Sequence, residues 1–199
     1  SQYPLRVECS ELRVGSCGDG EYRGGLGLRR DLRLLSQSGQ LSVLTDKCTI
    51  PPIGVHGAAN GAANNFVVVR DGEVVQPSPV PGKVSGFPLR EGDIVRYETA
   101  GGGGYGDTLD RDPLMVARDT RLGYITPNIA EIRYGVVFGD NHEINAAATE
   151  ERRAALRKAR VHLTLKAANE DDYSGDRRVF RVPSVFASRV GVSDGDLVE

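Results

Sequence analysis

Glycine constrains this chain more than any other residue. Its 25 glycines gather in three places, Gly15 to Gly27, Gly54 to Gly61 and Gly101 to Gly106. A residue without Cβ tolerates positive φ and lets two backbones approach closely, at an entropic cost on folding. Clusters of this kind are either tight turns of a β-rich fold or loops that face a ligand. The rest of the composition is that of an ordinary globular protein, 39% hydrophobic and 26% charged over 199 residues, enough for a real core.

Between the clusters the pattern has the period of strands. Apolar residues fall at Leu26, Leu28, Leu32 and Leu34, with Arg30 breaking the alternation, and Leu41-Ser-Val-Leu-Thr follows. Phe66 to Arg70, Asp71-Gly72 and Glu73 to Val75 form a hairpin signal, since Asp-Gly supplies the turn that β-twist favours. Tyr3 to Glu8 and Ile94 to Thr99 also read as strands. Helices come late. Asp112-Pro113 and Thr126-Pro127 each place a capping side chain before a proline, with Gly123 and Gly135 as stops. A third helix is expected from about Ala146 to Arg160, its acidic residues leading and its basic residues trailing. The expected fold is mainly β with a small α section, an α+β arrangement. A β-rich glycine-loop domain spans 1–106, a helical section 107–160, and a truncated terminal β-element 161–199. In the last, Val161 to Leu165 and Val179 to Val182 alternate like strands around a polar loop, Asn169 to Arg178. Because the chain begins and ends inside such patterns, it reads as cut from something longer. The turn-then-strand entry Gly92-Asp-Ile-Val has an echo in Gly195-Asp-Leu-Val.

Composition narrows function. A formal net charge of -2, no tryptophan and no basic stripe make nucleic acid an unsuitable partner. No uncharged run approaches membrane-spanning length and no signal peptide opens the chain. Cys9, Cys17 and Cys48 are an odd count without a C-x-x-C pair, which suits a reducing cytoplasm.

Gly101-Gly-Gly-Gly-Tyr-Gly-Asp107 is the most informative stretch. It satisfies G-x-G-x-x-G through Gly101, Gly103 and Gly106, yet no helix opens after it as a dinucleotide fingerprint requires. Successive glycine amides can form a nest for an anion, or the loop can pack under another subunit. Gly101, Gly102, Gly103, Gly104, Tyr105, Gly106 and Asp107 are therefore the candidate substrate, anion or interface loop. His56 and Asn60, in the loop from Ile53 to Asn65, are secondary candidates, although a loop histidine bonded to backbone is the plainer reading. Asp107, Asp110, Arg111 and Asp112 form an acidic cluster in which Asp112 caps a helix and Arg111 neutralises its neighbours. His142 reads as a solvated loop residue, His162 as structural and Cys48 as a small buried hydrophobe. No metal ligands and no catalytic residue are assigned, and no G-x-S-x-G, Walker A or HExxH motif is present.

As an ordered series the motifs say more. Tyr3 to Glu8, Glu11-Leu-Arg13, Gly18-Asp-Gly-Glu-Tyr-Arg-Gly-Gly-Leu-Gly27, Thr45-Asp-Lys47, Pro51-Pro-Ile-Gly54, Gly82-Lys-Val84 and Leu89 to Asp93 come first. Thr99 to Pro113 and Tyr134-Gly-Val-Val137 follow. From Tyr3 to Arg157 this order resembles the carboxy-terminal region of the hydantoinase B/oxoprolinase family. The resemblance implies an ATP-dependent complex acting on a small carbonyl substrate. It hydrolyses a cyclic amide (a hydantoin, 5-oxoproline or a lactam) or, in carboxylase members, adds carbon to a ketone. It implies ATP and Mg on a hydantoinase-A-like partner, and a second B-type chain or amino-terminal part that would carry any divalent metal. This segment would bind neither and would be inactive alone; a non-catalytic assembly module is the rival role. Lys47, Gly57-Ala58 and Thr108 depart from the family pattern, where arginine, a Gly-Gly pair and proline are usual. The stretch after Arg160 resembles an extension found in some members only.

Overall fold

Seven strands and three helices account for most of what the computed structural model describes, residues 3–160 together with Ala187. In chain order they are β1 (Leu5–Leu12), β2 (Leu28–Leu34), β3 (Ser38–Leu44), β4 (Asn65–Arg70), β5 (Glu73–Val75), β6 (Lys83–Arg90) and β7 (Ile94–Glu98). Helices α1 (Pro113–Arg121), α2 (Pro127–Tyr134) and α3 (Ala146–Ala159) follow. This is the β-rich α+β fold that the residue pattern implies. The strands expected at 161–165 and 179–182, the loop between them, His162 and the second Gly-Asp entry lie outside the described residues.

Five strands form one antiparallel sheet in the order β1-β2-β7-β4-β5. Register sorts its side chains onto two faces. Leu5 and Val7 sit opposite Leu34 and Leu32, which lead across the sheet to Val95, Val68 and Val75. This is the apolar face. Its β5 end packs under β3 and β6, a separate two-stranded ribbon, so that Leu34, Val68 and Leu89 form a core with Leu41, Phe87 and Val95 around them. Arg30 belongs to the same face and lies over the Tyr97 ring, which stacks on Phe66. Strand β2 starts at Leu28 rather than at Leu26, because Leu26 packs in the other core of the molecule.

The opposite face is ionic along β2, and on β4 it carries Val67, buried beside Arg96. Arg96 and Arg29 both grip Asp31, at 2.8 and 3.0 Å, and Asp31 is buried. Arg96, with Arg29 behind it, holds the Asp31 carboxyl down at about 2. Since the folded-state pKa lies below that of the unfolded chain, this contribution is complete above about pH 4 and is lost as pH falls towards 2. Urea unfolding across that window should lose about 2 kcal/mol in the native protein that Asp31→Asn no longer loses. An unchanged pH slope in the variant would reject the assignment. A second clamp ties β4, β6 and β7: Arg70 reaches Asp93 through two bonds of 2.6 and 2.9 Å, and the Arg90 amide donates to the same carboxylate.

The helices cap as their sequences dictate. Asp112 accepts from the Leu114 amide, Thr126 from Ile129 and Asn145 from Ala148, and Gly135 ends α2 at φ 64°. Val116, Ile125, Ala130, Tyr134 and Val136 form a second core that also contains Cys17. The first glycine cluster and the helices therefore share one interior, within a compact unit that reaches Arg160. Helix α3 attaches largely through arginines. Arg153 donates to the carbonyls of Tyr134 and Arg111, Arg157 to the carbonyl of Leu109 and the carboxylate of Asp110, and Arg160 pairs with Asp107.

Candidate functional site: a crossing of glycine loops

The three glycine clusters meet. Gly18 donates its amide to the Gly102 carbonyl, Gly102 to Gly25, Gly101 to Ala62, Gly104 to Ala59, and Ala59 to Asp19, all within 2.7–3.1 Å. Ala62 donates to the Ser16 carbonyl at 2.8 Å, closing a three-way crossing of backbones. A Cβ on Gly101 would collide with the Ser16 carbonyl oxygen, and one on Gly103 with that of Ile53. Glycine is present because backbone takes the space a side chain would need.

That geometry corrects the expected anion nest. The amides of Gly101, Gly102, Gly104, Tyr105 and Gly106 all donate to carbonyls of the same chain. They are not an array open to a phosphate, so the glycine run does not fit the triphosphate of ATP. On its inner side the run is packed by its own chain.

What the crossing presents is a set of side chains. Tyr105 exchanges backbone hydrogen bonds with Tyr22 at 2.9 and 3.0 Å, while Val55 bonds to Gly104 and Gly106 on either side of it. The rings of Tyr22 and Tyr105 lie 6.2 Å apart, and the His56 imidazole packs 4.9 Å from Tyr105. All three side chains are exposed, with Val55 and Ile53 beside them in sequence also exposed. His56 meets the Tyr105 ring, where a backbone hydrogen bond was the plainer expectation. It does so from φ 55°, a left-handed conformation that an L-residue adopts at a cost. Asn60 serves the structure of the loop, because its Oδ1 accepts the Gly54 amide at 2.9 Å and closes the turn that carries His56.

Two buried carboxylates hold this platform to the helices. Asp19 accepts from the Tyr134 hydroxyl at 2.7 Å and from Arg133 at 2.5 Å. Asp119 takes Arg23 and Arg111, both at 2.8 Å. Arg111 thus leaves its acidic neighbours: Asp110 pairs with Arg157 and Asp107 with Arg160, whose guanidinium holds the Asp107 carboxyl below its usual range. Asp107 also caps the short 3-10 turn Thr108–Asp110. The acidic cluster is consequently a set of separate structural pairs. Asp19 and Asp119 were not singled out from the sequence. For Asp119 a signal existed, since it falls three residues after buried Val116 on one face of α1.

Cys48 is half-exposed rather than buried, and burial of the thiol is a property of Cys17 instead. Burial raises the pKa of the Cys17 thiol, which suits packing and not nucleophilic attack. His142 is exposed, as a solvated loop residue should be. Among the described residues no three His, Cys, Asp or Glu side chains gather as metal ligands, and no helix is long and apolar enough to cross a membrane. Two open hollows lie along α1, lined by residues such as Leu114, Ile144 and Arg153 in one and Ala117 and Phe138 in the other. Neither includes a residue of the crossing.

The family model described as hydantoinase B/oxoprolinase matches residues 1–108, more than half of the chain and the whole of the crossing. The chain belongs to the hydantoinase B/oxoprolinase family. An uncharacterized protein of Methanocaldococcus jannaschii is 39% identical over 121 residues, 61% of this chain and 21% of that protein. Caprolactamase subunit beta of Pseudomonas jessenii is 31% identical over 159 residues, 77% of this chain and 26% of the subunit. The crystal structure of the ATP-dependent caprolactamase from that organism superposes with a TM-score of 0.64 at 29% identity, over 77% of this chain and 27% of that one. The acetophenone carboxylase delta subunit of Aromatoleum aromaticum is 29% identical over 191 residues, 80% of this chain and 28% of the subunit. The chain thus spans about a quarter of the length of these three relatives.

Proposed function

We propose that this chain is the glycine-crossing segment of a B-type subunit in a cytoplasmic, ATP-dependent complex that hydrolyses a cyclic amide such as a lactam, a hydantoin or 5-oxoproline. The observation that carries the reading is agreement of sequence and fold with one protein. Likeness to the caprolactamase beta subunit and superposition on the caprolactamase structure each extend over 77% of the chain. In this reading ATP and Mg are bound by a hydantoinase-A-like partner, since the glycine amides here are already engaged within the chain. The segment's own contribution is a stiff surface. It holds Tyr22, His56 and Tyr105 where two phenols and an imidazole can bound a small carbonyl substrate and orient it by hydrogen bonding.

The test is reconstitution with the A-type partner and the rest of the B-type polypeptide, measuring ADP release against a panel of lactams, hydantoins and 5-oxoproline. Cyclic amide should stimulate ATP turnover without bicarbonate. Ketone carboxylation is the second reading, favoured by likeness to the acetophenone carboxylase delta subunit over 80% of the chain. Turnover that needs both a ketone and bicarbonate would replace the first reading with this one.

The platform has its own prediction. His56→Gly removes a left-handed histidine and should stabilise the protein by about 1 kcal/mol, while lowering turnover of the complex at least about tenfold. Tyr105→Ala should lower turnover similarly, with Tyr105→Phe separating loss of the ring from loss of the hydroxyl. Full activity with alanine at His56, Asn60 and Asp107 would make the segment an assembly module instead.

A further inference from the structure

One face of the five-stranded sheet is finished and the other is not. On the ionic face, Arg6 and Arg33 both bond Glu8, and Arg29 and Arg96 bond Asp31, so the charges satisfy one another in water. The bulge between Val7 and Cys9 makes this possible, because the unpaired Glu8 can turn to those arginines while Leu12 keeps its place opposite Leu28. On the apolar face the β5 end is covered by β3 and β6, but among the described residues nothing covers the β1 end. Leu5, Val7, Leu12 and Leu28, which share this face by register, are 42–58% exposed. Antiparallel sheets commonly solvate one face and bury the other, and here the bare residues lie on the face built to be buried. Among the described residues β1 also has one strand neighbour only, so it forms an open edge eight residues long. Leu5 with Val7 and Leu12 with Leu28 make two exposed apolar pairs separated by Ser10 and Arg30 on the same face, and apolar surface rimmed by polar residues in this way marks an interaction site.

We infer that this strip, Leu5, Val7, Leu12 and Leu28, is the seat of the remaining three quarters of the B-type polypeptide. The occupant follows from the relatives: in the Methanocaldococcus jannaschii protein, caprolactamase subunit beta and the acetophenone carboxylase delta subunit, the segment matching this chain is 21–28% of one polypeptide that carries the rest. A covalently linked partner is present at high effective concentration, whereas a second copy of this chain would need a self-complementary patch about a twofold axis. The inference rests on family membership and not on the reaction proposed above.

The experiment places the photo-cross-linker benzoylphenylalanine at Val7 or Leu12 in the protein expressed in its source cells, with Val74 of β5, equally exposed and on the opposite face, as control. Cross-links from Val7 and Leu12, several-fold above Val74, should return peptides that align with the B-type relatives outside the segment matched here. Peptides only from a second copy of this segment, peptides of the ATP-binding partner, equal yields at Val74, or no cross-link would overturn the inference. Val7→Glu should reduce the Leu12 cross-link to those peptides at least about tenfold and leave the Val74 yield unchanged, and an undiminished Leu12 cross-link would overturn the inference. A complex that loses turnover but keeps these cross-links would count against the proposed reaction and leave the docking surface standing.

Discussion

Replacing Gly101 with alanine should destabilise the protein by about 3 kcal/mol and lower its melting midpoint by about 10 °C for a unit of this size. The new methyl group has nowhere to go, because the Ser16 carbonyl occupies its position and Cys17 follows immediately behind. The Ser16 carbonyl cannot retreat cheaply, since it accepts the Ala62 amide, and the Gly101 amide is itself bonded to the Ala62 carbonyl. Two ladders would have to open at once. Gly25→Ala is the matched comparison. A Cβ there meets nothing within 4 Å, and the residue does not need positive φ. It should be neutral or stabilise by about 0.5 kcal/mol, through the reduced freedom of the unfolded chain. Circular dichroism melts of the two variants decide the matter. Similar midpoints would mean that close backbone approach is not why glycine occupies the crossing.

Removing the Asp19 carboxylate should cost about as much, again near 3 kcal/mol, the usual penalty for breaking a buried charged pair by deleting one partner. Asp19→Ala leaves the fully buried Tyr134 hydroxyl without its acceptor and the half-exposed Arg133 without its counter-charge. Tyr134→Phe alone should cost about 1–2 kcal/mol, because the orphaned carboxylate keeps Arg133. Combined, the two substitutions should cost less than their sum by about 1 kcal/mol, since each removes the same hydrogen bond. Urea titrations of the single and double variants supply the numbers. Strict additivity would mean that the tyrosine and the aspartate are not coupled.

Much of the architecture could be read from residue pattern, and the reasons are local. The Asp71-Gly72 hairpin and the Asp112-Pro113 and Thr126-Pro127 helix starts depend on neighbours a few residues apart, and each appears where its sequence puts it. Strand β6 escaped notice because Gly86 and Pro88 are both residues that argue against a strand. It is tolerated because β6 pairs with β3 alone, leaving one side of the strand free of a ladder. The glycine clusters were visible as special positions but not as one object. Whether glycine amides face a ligand or a neighbouring carbonyl depends on contacts between residues 40 to 90 apart, and no local pattern encodes those. The same holds for Asp19 and Asp119, whose partners Arg133, Tyr134 and Arg23 lie far along the chain. His56 and Tyr105 were each named as candidates, but their ring contact required the crossing to exist first.

The crossing also dictates an order of events when the chain folds. Its three segments, near residues 18, 58 and 102, are separated along the chain by strands β2 to β7, so none of their contacts is rewarded until two long chain closures have been made. The β4–β5 hairpin and the capped helices have no such delay and can form on their own timescales. The crossing is therefore expected to assemble late, with the equally long-range β2–β7 pairing and after the rate-limiting barrier. Destabilising it should quicken unfolding and leave the refolding rate nearly untouched. In a stopped-flow chevron, Gly101→Ala should shift the unfolding limb while the refolding limb stays in place. The consequence is one of timing: a newly made chain has its β4–β5 hairpin and helices before it has the surface on which His56 and Tyr105 stand.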